Sequence, residues 1–155
     1  MLDGVTQNFV TPVELIQRSV DGMRERGFGR IVNITSLSVL MLVEGLDLSS
    51  GARAGLTAFL AGITPQFAGA NVTVNNILPG KMDTKRLQGG FEMAARARGG
   101  TPDEERERQA GEIPARRFGT ADEFGQICAF LCSVHAGYIT GQNILVDGGL
   151  VTRSF

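Results

Sequence analysis

Apolar residues recur at helical spacing at Val13, Ile16, Val20 and Met23, and Gly27-Phe28-Gly29 supplies the stop. Thr11-Pro12-Val13-Glu14 reads as the start of this helix, with a cap hydroxyl, a proline at the first helical position and a carboxylate three residues after the cap. Arg30-Ile31-Val32-Asn33-Ile34 is short, β-branched and nearly continuous in apolar character, so 30–35 is predicted as a parallel strand covered on both faces. A glycine-rich apolar stretch over 49–67 suits a helix packed closely on a neighbour, with Pro65 bending or ending it. The alternation through Asn71–Leu78, closed by Pro79-Gly80, predicts a second strand. Residues 81–118 hold most of the charge, two glycine pairs and a capping box at Thr101-Pro102-Asp103-Glu104; they read as a mobile loop with one or two short helices. Thr120-Ala121-Asp122-Glu123 caps a last helix with Phe124, Ile127, Cys128, Phe130 and Leu131 inward, and Asn143–Val146 is a third strand. Strands alternating with helices imply right-handed crossovers and a parallel α/β sheet.

Composition narrows the class. With 155 residues, 43% hydrophobic and 20% charged, the chain reads as one soluble globular domain. Fifteen basic against sixteen acidic residues leave a net charge of -1, so neither nucleic acid nor an anionic membrane surface is expected as a partner. Two cysteines and no basic-then-apolar N-terminal segment argue against a disulfide framework and a signal peptide, which makes a reducing, cytoplasmic setting the expectation. Cys128, Cys132 and His135 have a ligand-like spacing but lack a fourth donor, and both cysteines fall on the apolar helix face, so no metal is expected. Asp103–Arg108 reads as a solvated helix face with Glu-Arg pairs at helical spacing; a substrate-lid role is the alternative.

Five blocks carry a resemblance: GRIVNITS at 29–36, ARAGLTAF at 52–59, VTVNNILPGKMDT at 72–84, IPARRFG from 113 and GYITGQNILVDGG ending at 149. In this order and spacing they resemble the second half of a short-chain dehydrogenase/reductase, closest to the 3-oxoacyl-carrier-protein reductase type. The resemblance implies a Rossmann-type doubly wound sheet, of which residues 1–155 form a single domain with the last three strands. It also implies NAD or NADP as cofactor, a small-molecule carbonyl or alcohol as substrate, and a homo-oligomer with one interface through the two helices at 9–27 and 49–67 and another through the final helix and strand. No glycine-rich turn joins a strand to a helix here, so the N-terminal half that cradles the dinucleotide phosphates has no counterpart in this chain. In the family's strand order, 30–35 would then be left with one unpaired edge.

Carried over residue by residue, the family's catalytic Asn and Ser fall on Asn8 and Ser36. Its Tyr and Lys fall on Ser49 and Arg53, so two of the four roles are altered. A phenol's ordinary pKa of about 10 can be lowered by a neighbouring cation far enough for proton transfer, whereas a serine hydroxyl offers no comparable acidity. Arg53 keeps the positive charge and the capacity to bind ribose hydroxyls, but as a larger, permanently protonated fork. Tyr138, the one tyrosine, matches a segment near the last strand and not the catalytic position. Pro79, Gly80, Met82 and Thr84 match the segment that flanks the nicotinamide. Taken on their own chemistry, Asn8 and Ser36 are equally a local turn or cap, and Thr84 a helix cap. Two functions follow: an NAD(P)-dependent oxidoreductase that is incomplete and impaired as this chain, or a catalytically silent scaffold, interaction subunit or truncated product.

Overall fold

The computed structural model describes residues 1–152. Its first helix is longer than the sequence suggests. α1 (Leu2–Val5) passes through a π-helical segment, Thr6–Val10, into α2 (Thr11–Glu25) with helical dihedrals at each junction. Thr11 therefore lies inside a helix and caps nothing; its N–H reaches back to Thr6 O. Pro12 supplies the reason, because it has no N–H to continue the regular ladder and its ring crowds the preceding turn, a conflict that one wider turn absorbs. Gly27, at φ 64°, then ends α2 in the left-handed region as expected.

The chain continues through β1 (Gly29–Ile34), a 3-10 turn at Leu37–Val39, α3 (Asp47–Ile63), α4 (Pro65–Ala68) and β2 (Val72–Pro79). Pro65 divides α3 from α4, the break that its ring imposes. Residues 81–118 fold into two full helices, α5 (Lys85–Arg98) and α6 (Pro102–Glu112), and not into a loop with short helical pieces. Their apolar residues are few because they cover a small core of their own, Phe91, Ile113 and Phe118 with Leu87, Ala110 and Leu150. α7 (Ala121–Cys132), a 3-10 turn at Val134–Ala136 and β3 (Asn143–Val146) complete the order. Both capping boxes form, Thr101 with Glu104 and Thr120 with Glu123.

The three strands are parallel in the order β1-β2-β3. Ile16, Val20, Leu56, Leu60, Phe67, Val72 and Val74 fill one face under α2 and α3, while Ile77, Leu131 and Ala136 fill the other under α7. This is the doubly wound α/β arrangement expected, and each fully buried aliphatic side chain contributes roughly 1.5–3 kcal/mol. Phe130 and Cys132 depart from the predicted inward face of α7: both are exposed, and only Cys128 joins the core.

One row of the sheet is polar. Asn33, Asn76 and Asn143 lie side by side across the three strands, and Asn76 Nδ2 donates to Asn143 Oδ1 at 2.8 Å. Asn33 Nδ2 and Asn76 Oδ1 are both buried without a partner, a donor and an acceptor in adjacent register positions. Next to it, buried Asn75 clamps the approach to β3 by donating to Ile139 O at 2.8 Å and accepting from Gln142 N at 3.0 Å.

Among the described residues no strand pairs with the outer edge of β1. Gly29 and Thr35 donate their N–H to Asn71 O and Ile77 O, so by the alternation of a parallel ladder Arg30, Val32 and Ile34 turn theirs to an unpaired edge. A groove of about 530 Å³ runs along that edge, walled by Asn8, Pro12, Ile16, Arg53 and Leu56.

Candidate functional site

The site assembles at the carboxyl ends of β1 and β2, where open α/β sheets place their ligands. Ser49 and Arg53 stand one turn apart on α3, and Arg53 Nε donates to Ser49 Oγ at 3.2 Å. Arg53 Nη1 also donates to Ile34 O and Thr35 O, each at 3.0 Å. The guanidinium thus caps the end of β1 and secures the one edge carbonyl it reaches. Burial, and after it the charge of Arg86, lowers the Arg53 pKa, though a guanidinium stays protonated under all ordinary conditions. Ser36 follows in extended conformation, and its Oγ accepts from Ser38 N at 3.1 Å. That contact uses a lone pair and leaves the hydroxyl hydrogen free to donate.

Asn8 sits in the π segment, where Nδ2 donates to Gly4 O at 2.8 Å. It shares the groove wall with Arg53, so α1–α2 and α3 bring two of the four candidate residues to one cleft. The local readings of Asn8 and Ser36, a turn bond and a cap, are the contacts observed.

The second candidate set follows β2. Gly80 N donates to Val146 O at 2.9 Å, and a Cβ at Gly80 would stand 2.6 Å from Asp147 Cα, so this turn is glycine because β3 passes against it. Met82 forms an isolated bridge with Gly119, lays its thioether on that glycine and lines a cleft of about 330 Å³ with Lys81, Val146, Asp147 and Gly148. Thr84 caps α5 by accepting from Leu87 N. Pro79, Gly80, Met82 and Thr84 therefore form one strap between β2 and α5. Sequence reasoning missed Asp83 within this strap: both its oxygens bind Arg106 of α6, at 3.1 and 2.5 Å, and the Arg106 guanidinium lies over Phe91 and Phe118. Lys81 adds an ion pair with Glu112 at 2.9 Å. Both pairs tie the α5–α6 hairpin to the strap. Replacing Arg106 with Ala is expected to speed amide exchange in α5 and α6 at least about tenfold while leaving β2 protected, measured by hydrogen exchange.

Glu105 corrects the expectation that Asp103–Arg108 is wholly solvated. Its side chain is 5% exposed, receives Arg108 at 2.6 and 3.0 Å and Gln109 at 2.7 Å, and also faces Arg98. The bonds from Arg108, then Gln109, hold the Glu105 carboxyl at about 2. Arg117, then the Thr120 backbone, hold Glu123 at about 2 as well. Carboxyls depressed in the fold stabilise it fully above their unfolded value of about 4.3, and that stabilisation is lost as pH falls towards 2. A melting temperature that declines over this window, with a shallower decline in Glu105→Gln, is the expected acid profile.

Among the described residues no group of three or more His, Cys, Asp or Glu side chains is placed to hold a metal ion, and no helix is long and apolar enough to cross a membrane. Tyr138 is fully exposed, away from Ser36 and Arg53 in sequence and bonded to neither.

A family model described as enoyl-(acyl carrier protein) reductase matches residues 4–151. The chain belongs to the short-chain dehydrogenase/reductase family. It is 38% identical over 130 residues to an acetoacetyl-CoA reductase of Allochromatium vinosum, covering 84% of this chain and 48% of that protein. A 3-oxoacyl-[acyl-carrier-protein] reductase of Pseudomonas aeruginosa is 31% identical over 148 residues, covering 96% of this chain and 56% of the relative. Among solved structures, YwfH, an NADPH-dependent reductase involved in bacilysin biosynthesis, superimposes with a TM-score of 0.89 at 33% identity, covering 96% of this chain and 57% of that one. The chain thus spans about half the length of the curated relatives it matches.

Pro79, Gly80, Met82 and Thr84 lie on the strap between β2 and α5, and its backbone groups and the Thr84 hydroxyl are what could hold a nicotinamide there. The β2–α5 turn holds a single glycine, Gly80, whose Cβ space Asp147 already fills, so it makes no pyrophosphate cradle.

Proposed function

We propose that these residues form the carbonyl-side half of the active site of an NAD(P)-dependent oxidoreductase, with the phosphate-binding half supplied by polypeptide outside 1–155. The observation that carries this reading is the convergence of Ser36, Ser49 and Arg53 at the end of β1, next to the strap that follows β2. The reductases of acetoacetyl-CoA and of 3-oxoacyl carrier protein among its relatives favour a 3-oxoacyl compound as substrate. A nicotinamide held there would supply or accept the hydride. Ser36 donates its free hydroxyl hydrogen to the substrate carbonyl oxygen, and Arg53, with Nη1 anchored on β1, holds ribose hydroxyls through its remaining N–H groups. Ser49 accepts from Arg53 and passes a proton through water, a poor substitute for an acidified phenol.

The substitution at Ser49 also favours a second reading, a catalytically silent subunit that interacts through its open sheet edge. Both readings expect the 155-residue polypeptide alone to reduce no acetoacetyl-CoA with NADPH and to bind either dinucleotide no more tightly than about millimolar, roughly -4 kcal/mol. Restoring the pair with Ser49→Tyr and Arg53→Lys leaves this unchanged, because the phosphate contacts are still missing. Supplying a glycine-rich strand-turn-helix half separates them: turnover supports the enzyme, and a tight complex without turnover supports the silent subunit. Micromolar calorimetric binding of NADPH to the chain alone overturns the half-site.

A further inference from the structure

The outer edge of β1 and the groove beside it suit one kind of occupant. Arg30, Val32 and Ile34 line the groove, and the alternation of a parallel ladder turns Arg30 C=O, both backbone groups of Val32 and Ile34 N–H towards it. Ile34 O differs, because Arg53 Nη1 already donates to it at 3.0 Å. The free ladder therefore ends at Ile34 N–H. Pro12, Ile16, Met23 and Leu56 give the groove an apolar wall, and Asn33 lines it with an amide. By strand alternation Asn33 shares a face with Ile31, which packs on the core under α2 and α3. Asn33 also ends the polar row of the sheet. The row closes between β2 and β3, where Asn76 Nδ2 donates to Asn143 Oδ1, and stays open between β1 and β2, where Asn33 Nδ2 and Asn76 Oδ1 stand in register without partners. At the far edge of the sheet Asn143 Oδ1 already has its donor.

We infer that the groove seats a parallel strand of the polypeptide outside 1–155, with an amide or hydroxyl side chain in register with Asn33 and an apolar one two residues before it. This deepens the reading that such polypeptide supplies the other half, and it holds for the enzyme and the silent subunit alike. The relatives carry about as much polypeptide again beyond the matched part, and both pairings already present in the sheet are parallel. The polar side chain extends the amide row; an apolar one there would seal Asn33 from water with its hydrogen bonds unmade. The side chain in register with Ile31 rests on Pro12, Ile16 and Met23. Arg53 sets the register, because its hold on Ile34 O stops the added strand level with Ile34. The remaining N–H groups of Arg53 then stay at the rim, clear of the ladder.

The test reads no turnover, so its failure is separate from failure of the oxidoreductase reading. Two short end-blocked peptides of alternating valine and threonine, one with a central asparagine and one with leucine in its place, are titrated into the 155-residue chain at a dilution where it is monomeric. Backbone amide exchange is followed by NMR. The asparagine peptide is expected to slow exchange at Val32 and Ile34 at least about tenfold and to bind about tenfold more tightly than the leucine peptide. Asn143 and Leu145, whose N–H groups face the outer edge of β3, should not respond. Asn33→Leu should abolish or reverse the preference while both peptides stay on the same edge; Asn33→Ala is the second variant should leucine not fit the row. Absence of saturable binding, protection of Asn143 and Leu145 in place of Val32 and Ile34, or an asparagine preference that survives the loss of Asn33 overturns the inference. A second copy that holds the β1 edge against saturating peptide overturns it too.

Discussion

Gly80→Ala is expected to destabilise the chain by about 2–4 kcal/mol, which lowers the melting temperature of a domain this size by about 5–15 °C. The added Cβ would lie 2.6 Å from both Cα and Cβ of Asp147, and a backbone atom has no rotamer into which it can retreat. Relief requires separating the ends of β2 and β3, which breaks the bond from Gly80 N to Val146 O and disturbs Asp147, whose carboxylate accepts from Gly149 N and Val151 N. The strap carrying Met82, Asp83 and Thr84 starts at that point, so the candidate half-site loosens together with the fold. Gly89 in α5 gives the contrast: a Cβ there meets nothing within 4 Å, so Gly89→Ala should stabilise by about 0.5–1 kcal/mol. Thermal unfolding of both variants checks the pair. A Gly80→Ala protein as stable as the parent would mean that the two strand ends are not held together.

What was readable from the sequence was local. Thr101 with Glu104 and Thr120 with Glu123 are three residues apart, and each box closes on itself whatever surrounds it. β1 and β2 announced themselves by β-branched runs, and Ser49 with Arg53 by the spacing of one helical turn. The same local logic misled at Thr11-Pro12, where a start signal lies within a longer helix and the conflict is settled by a π turn. α5 and α6 looked like a loop because their apolar partners, Phe118 and Leu150, lie outside both helices. Glu105 is buried by Arg98, seven residues earlier, and by its own helix, a closure that no charge pattern states.

The unpaired edge of β1 leads to the second large effect, self-association of the isolated chain. Arg30, Val32 and Ile34 direct backbone N–H and C=O groups outward, and Ile34 is 55% exposed, so the edge is apolar as well as unsatisfied. Arg53 covers one carbonyl, that of Ile34, and no Lys or Pro in the strand discourages pairing along the rest. Light scattering over a concentration series is expected to show a mass rising beyond the monomer. α2 and α3 offer another route through exposed Leu15, Leu48 and Phe59, and one substitution tells the two apart. Val32 packs against the α7 face of the core, so Val32→Lys costs some stability as well as charging the edge; folding of the variant is checked first by circular dichroism. A folded variant that still associates assigns the contact to the helices, and one that becomes monomeric assigns it to the strand. A parent chain that stays monodisperse and unfolds cooperatively at high concentration would show that the groove along β1 protects its edge unaided.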